Sequence, residues 1–192
     1  MPTVHLTLAE ENHVLRAQFE DISAAATALV TPLSDEQFAW RPDEKTWSVG
    51  HCLEHLNATA RQYLPRLDEG VAESIRMGLY GDGPFHYNWI GRLFVRLNEP
   101  RAKLRMKAPA AFQPGVPRSR QEVLAAFRAY QVQYVDRLHQ ANGLDLARSR
   151  VSSPINSWIK MPLGCGFLLM AAHERRHLEQ ARRLIARPDF PK

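Results

Sequence analysis

The residues best suited to chemistry lie near the C-terminus, in the run His173-Glu174-Arg175-Arg176-His177. On a helix, positions i and i+4 stack one turn apart on one face, so both imidazoles can reach a single metal ion. The same five residues fit the His-Glu-x-x-His pattern of zinc proteases, where the glutamate acts as general base. The extended protease pattern wants a glycine and then a histidine further on, and Gln180 and Arg183 stand there instead. A zincin-like protease therefore ranks low. The pair alone leaves open a plainer reading, two exposed histidines on a charged helix.

A tetrahedral site with two histidines needs a third protein ligand. Downstream, Glu179 sits at an unsuitable angle on the same helix and Asp189 lies beyond Pro188. The ligand is expected upstream, among His5, His13, His51, His55, His86 and His139. His55, at the edge of an apolar helical face beside Cys52 and Thr59, is the best placed, and geometry alone does not close the choice. Glu174 projects near the centre of the last helix's apolar face. A bare buried carboxylate is costly, so a partner is expected, either an arginine or Asn12. The competing reading makes Glu174 a group that orients a ligand histidine, or a general base. Gln180 carries the same pair of readings. No catalytic residue is assigned beyond these. Cys52 and Cys165 are expected to be buried small hydrophobes, although a thiolate would be favoured at the start of the last helix, where Cys165 lies.

These side chains must be held by helices. Thr7 and Glu10 have capping-box spacing. Asn12, Leu15, Phe19, Ile22, Ala26 and Leu29 follow as one stripe that ends at Thr31-Pro32. Ser34 and Gln37 suggest a short helical turn. Ser48 is a good N-cap for a second long helix, with Trp47 and Cys52 at staple spacing. Pro65 should kink that helix or end it. Residues 70–118 are hard to read: glycines mark turns, Trp89, Ile90, Leu93, Phe94 and Leu97 suggest a short amphipathic helix, and Pro109, Pro114, Gly115 and Pro117 suggest an extended linker. Ser119 and Glu122 open a third long helix, and Gly143 closes it. The last helix runs from Pro162 or Leu163 to about Arg187. No useful length alternates with strand period. The expected fold is all-α, a four-helix bundle in a single domain over residues 1–192, with 70–118 as a long connection or insertion.

Composition bounds the function. The 192 residues are 45% hydrophobic and 23% charged, ordinary values for a globular chain. No apolar stretch approaches a bilayer span, and no membrane partner is expected. Two cysteines make no disulfide framework, so the cytoplasm is the expected compartment. The net charge is +5, and Arg92, Arg96, Arg101, Lys103, Arg105 and Lys107 cluster. A solvated face explains such a cluster better than a nucleic-acid site, because no RNA-binding motif or zinc finger accompanies it.

Two segments carry a family resemblance. Trp47-Ser48-Val49-Gly50-His51-Cys52-Leu53-Glu54-His55-Leu56 resembles the Trp-Ser…His-Leu segment of the DinB/YfiT-like superfamily. Ala172-His173-Glu174-Arg175-Arg176-His177-Leu178-Glu179-Gln180 resembles its closing His-x-x-x-His-Leu-x-Gln segment. The resemblance implies an up-down-down-up bundle and a three-histidine metal site of His55, His173 and His177. It also implies frequent homodimers. Relatives include predicted metal-dependent hydrolases, and transferases that use small thiols such as bacillithiol or mycothiol. One divalent metal ion is expected, zinc or nickel first, with iron or manganese behind them. The expected partner is a small-molecule substrate, among them a low-molecular-weight thiol. A bound water with its pKa lowered toward ~7 would suit the hydrolase, and a bound thiolate the transferase. Behind these stand a non-catalytic metal-binding stress-response protein and, further back, a basic nucleic-acid-binding module.

Overall fold

The computed structural model describes residues 8–102, 108–115 and 119–192, with side chains from Glu11 onward. The expected cap at Thr7 and much of the basic run, Lys103, Arg105 and Lys107, lie outside the described residues, as does Pro117.

Four long helices dominate: α1 (Leu8–Val30), α3 (Val49–Arg76), α5 (Arg120–Gln140) and α6 (Leu163–Ile185). Short helices α2 (Asp35–Ala39) and α4 (Trp89–Asn98), a 3-10 turn over Ala110–Phe112, and a small antiparallel hairpin of β1 (Arg150–Ser152) and β2 (Lys160–Pro162) complete the described residues. The hairpin is a small addition to an otherwise all-α fold. Its strands are three residues each, too short for alternation to show in the sequence.

The caps explain why the helices start where they do. Ser34 and Ser119 form full capping boxes with Gln37 and Glu122, and the Ser48 hydroxyl accepts from the His51 N–H. Each such cap satisfies a backbone donor that the helix itself leaves unpaired. Gly143 closes α5 with φ of 86°, a left-handed conformation that favours glycine.

Pro65 does not end α3. The helix runs 28 residues, through the proline to Arg76. Beyond Pro65, Leu67, Gly70, Val71 and Ser74 are all buried against the rest of the bundle. That packing outweighs the one hydrogen bond the proline removes. Gly70 marks no turn either: a Cβ there would meet the Arg150 carbonyl oxygen at 2.7 Å, so glycine lets β1 lie against the helix.

Cross-helix contacts fix the direction of each element. Arg16 near the start of α1 meets His139 near the end of α5 at 3.3 Å, and Arg120 at the start of α5 donates to the Thr31 carbonyl at 2.9 Å. These helices are antiparallel. Asn57 donates to the Val123 carbonyl and Arg137 to Asp68, so α3 and α5 run in the same direction. Arg175 on α6 donates to Gln18 on α1, while Tyr87 binds Glu11 and packs on Gly164. The result is the up-down-down-up order. Phe19 stacks on Tyr134 at 4.8 Å in the core, with Leu15, Leu53, Leu67, Phe127, Leu138 and Phe167 fully buried around them. Each such side chain contributes about 1.5–3 kcal/mol through burial. The α1 stripe closes on Val30, which is buried, whereas Leu29 is only partly so.

Candidate metal centre

His55 comes from the first half of α3, and His173 and His177 from the middle of α6. Because the two helices pack antiparallel, the three rings meet. One ligand atom from each falls within 4.8 Å of the others. Ring centroids are 4.6 Å apart for His55–His177 and for His173–His177, and 5.1 Å for His55–His173. No Asp, Glu or Cys joins the group among the described residues. The chemistry of this donor set is that of three imidazoles, which can hold a divalent ion of the zinc or nickel kind.

Each ring has an outer hydrogen-bond partner at Nδ1. For His55 it is the Phe112 carbonyl at 2.5 Å, for His173 the Asn98 side-chain oxygen at 3.2 Å, and for His177 the Gln180 side-chain oxygen at 3.1 Å. All three are oxygens that accept, so each Nδ1 carries the proton and donates. Each Nε2 is then a bare lone pair. The Nε2 atoms of His55 and His173 stand 3.0 Å apart. Two lone pairs at that distance repel unless a cation lies between them.

Burial acts in the same direction. His55 is 4% exposed and His177 9%. Trp47 packs across both, with centroid distances of 4.9 and 5.7 Å. Removal from water pushes the His55 imidazole below its usual range. The His173 pKa falls well below it, first through burial and then through the neighbouring His177 and His55. Burial and His55 bring His177 down to about 3. The three rings are therefore neutral near pH 7, the form in which imidazole binds metal.

Two of the three outer acceptors, Asn98 and the Phe112 carbonyl, come from residues 70–118, the segment hardest to read from sequence, in which the expected short helix is α4. The outer face of α4 is apolar and its buried side is Gly91. A Cβ at Gly91 would meet the Cys165 sulfur at 2.6 Å, so glycine allows α4 to lie along α6. That brings Asn98, at the end of α4, to His173. Arg175 donates to Glu99 at 2.7 Å and Arg176 to the Leu97 carbonyl at 2.8 Å, which clamps the same end of α4. The expected extended linker contains the 3-10 turn at Ala110–Phe112, whose buried Phe112 carries the carbonyl that orients His55. A backbone carbonyl has no sequence signature. Gln180 had one, three residues after His177.

The other candidates lie elsewhere. His13, His86 and His139 are exposed, His51 bonds Ser48, and His5 is outside the described residues. Trp47, expected to staple Cys52, covers the histidines. Glu174 is 3% exposed, and its partner is Gln131 on α5, at 3.0 Å, rather than an arginine or Asn12. Asn12 instead donates to Asn142. Burial raises the Glu174 pKa to about 8. Its hydrogen bond goes to the core, and the Nδ1 partners of the histidines come from other residues. Burial likewise lifts the Cys52 thiol to about 12 and Cys165 to about 11, so neither is a ready nucleophile.

No curated protein and no solved structure matches the chain. The family model of the DinB superfamily matches residues 18–181, a span that includes the three histidines, Trp47, Asn98, Phe112 and Gln180.

Proposed function

The chain belongs to the DinB superfamily, and from that premise we propose that it is a metal-dependent enzyme, a hydrolase or small-thiol transferase, working on a small molecule at His55, His173 and His177. The observation that carries the reading is the set of three outer acceptors, which leaves three bare Nε2 atoms facing one another. Such a set fits a divalent ion, zinc or nickel ahead of iron and manganese.

A divalent ion on three imidazoles supplies a Lewis acid with open positions, able to activate a water or a thiol near neutral pH. The chain's own residues do the rest. Asn98, the Phe112 carbonyl and Gln180 fix ring orientation and tautomer. Trp47 shields two rings from water, which keeps them neutral. Leu97 to Glu99 and the turn at Phe112 lie against the histidines, and these described parts of 70–118 are the candidates for setting specificity.

The test is metal content of untagged protein, wild type against His55→Ala, followed by substrate screens. Stoichiometric divalent metal in the wild type, lost in the variant, supports the reading, and turnover of ester, amide or thiol-transfer substrates then separates the two enzyme classes. Folded wild type that is metal-free, and cannot be loaded with zinc, nickel, iron or manganese, overturns it. Stoichiometric metal with no turnover in any screen would favour a metal-binding protein without catalysis.

A further inference from the structure

Most of the exposed large apolar residues are not scattered, Val14 on α1 and Val132 on α5 being the exceptions. Ile75, Met77, Tyr80, Trp89, Ile90, Ile155, Trp158 and Ile159 are all exposed, and all belong to elements at one end of the bundle. That end gathers the C-terminus of α3, the start of α4, the β1–β2 hairpin and the N-terminus of α6. Its contacts are explicit: a Cβ on Gly91 would meet Cys165, one on Gly166 would meet Val151, and one on Gly70 would meet Arg150, while Tyr80 pairs with Leu144. Trp89 is 68% exposed, and Trp158, at the tip of the hairpin, is 92% exposed.

The α4 helix is inverted relative to an ordinary surface helix. At about 100° per residue, Trp89, Ile90, Leu93 and Phe94 span an arc of roughly 140° that faces outward, and all four are exposed. Gly91 faces inward. Arg92 and Arg96 sit together on one flank, both exposed. Arg148, Arg150 and Lys160 are exposed on the neighbouring elements. Opposing acids are few: Glu73 is engaged by Arg76 at 2.6 Å, though Lys160 also lies within its electrostatic reach, Asp145 accepts from two backbone N–H groups, and Asp82 is exposed.

We propose that this end of the bundle is a peripheral docking face for an anionic lipid bilayer, with Trp89, Ile90, Leu93, Phe94 and Trp158 entering the headgroup region and Arg92 and Arg96 meeting lipid phosphates. Apolar residues with aromatics on one face and arginines beside them make an interfacial helix, and arginine reaches phosphate while its stem stays on apolar surface. Charge complementarity points to an anionic rather than a neutral surface. The shape favours lipid over a second copy of the chain. A ring that is 92% exposed touches almost nothing of its own protein; a protein partner would need a matching pocket, whereas a bilayer accepts a protruding ring anywhere. This contact is peripheral. No helix among the described residues is long and apolar enough to cross a membrane. Over its ten residues, about 15 Å, α4 leads from this face to Asn98 beside His173.

The test is co-sedimentation with vesicles of phosphatidylcholine alone or with phosphatidylserine, using wild type, Trp89→Ala/Trp158→Ala and Arg92→Glu/Arg96→Glu, each checked for helix content. The expected result is binding to the anionic vesicles that is about tenfold or more stronger than to neutral ones, is weakened about tenfold in either double variant, and gives a tryptophan blue shift absent from the tryptophan variant. Absence of binding to anionic vesicles overturns the proposal, as does binding that both double variants leave unchanged. A concentration-dependent dimer that Trp89→Ala/Trp158→Ala dissolves, without vesicle binding, overturns it in favour of a second copy.

Discussion

Replacing Glu174 by glutamine should stabilise the protein, and increasingly so as pH rises. The carboxyl is 3% exposed in the core between α5 and α6 and has a single donor, the Gln131 amide. The other carboxyl oxygen and the Gln131 side-chain oxygen have no partner. A proton on Glu174 supplies the donor the pair lacks. Burial accordingly raises its pKa from 4.5 to about 8. The direction of the pH effect follows. Below pH 4.5 folded and unfolded chains both hold the proton. Between 4.5 and about 8 only the folded chain holds it, so stability falls as pH rises, by about 1.4 kcal/mol per unit. Above about 8 the loss is complete, about 5 kcal/mol. Glutamine has the same shape and no charge to desolvate. Urea denaturation of metal-free wild type and Glu174→Gln at pH 5, 7 and 9 measures the difference, in which the histidines cancel. The variant should gain under about 1 kcal/mol at pH 5, about 3 kcal/mol at pH 7 and about 5 kcal/mol at pH 9. A variant that is less stable at pH 9, or a difference that does not change with pH, would show that the carboxylate is ionised in the fold, and would return it to the list of catalytic bases.

Two further substitutions probe the frame of the site. Asn98→Ala removes the acceptor that fixes His173 but leaves the Glu99–Arg175 and Leu97–Arg176 contacts that clamp α4. Zinc affinity, measured by competition with a chromophoric chelator, should fall about 10- to 100-fold, and an unchanged affinity would remove Asn98 from the positioning role. Gly164→Ala would put a Cβ directly against the Tyr87 hydroxyl, which donates to Glu11. Overpacking of this kind costs about 1–3 kcal/mol, at about 2–4 °C of thermal midpoint per kcal/mol for a chain of this size. A wild-type midpoint would mean that Tyr87 moves aside freely.

Local rules sufficed for much of the molecule. Serine caps at Ser34, Ser48 and Ser119 marked three helix starts, because an unpaired backbone donor needs a nearby side-chain oxygen wherever the helix begins. The i and i+4 spacing of His173 and His177 put two rings on one face. The apolar stripes gave the four-helix class. What local rules could not settle was decided by packing. Pro65 reads as a kink or an end, yet α3 does not end there, because the burial of Leu67, Val71 and Ser74 is non-local. The apolar stripe of α4 reads as a core face, yet its buried side carries Gly91, since only a glycine allows the close approach to Cys165. Glu174 found its partner in Gln131, a polar residue in the middle of an apolar stripe on another helix. The meeting of His55, out of six upstream histidines, with His173 and His177, and the three oxygens behind the rings, depend on which chain segments meet in space. The sequence by itself determined the helices, their caps and two of the three histidines. Only the tertiary structure brought His55, which the family resemblance implied, together with the other two rings and decided their orientation and the face left bare, because these belong to contacts between residues far apart in the chain.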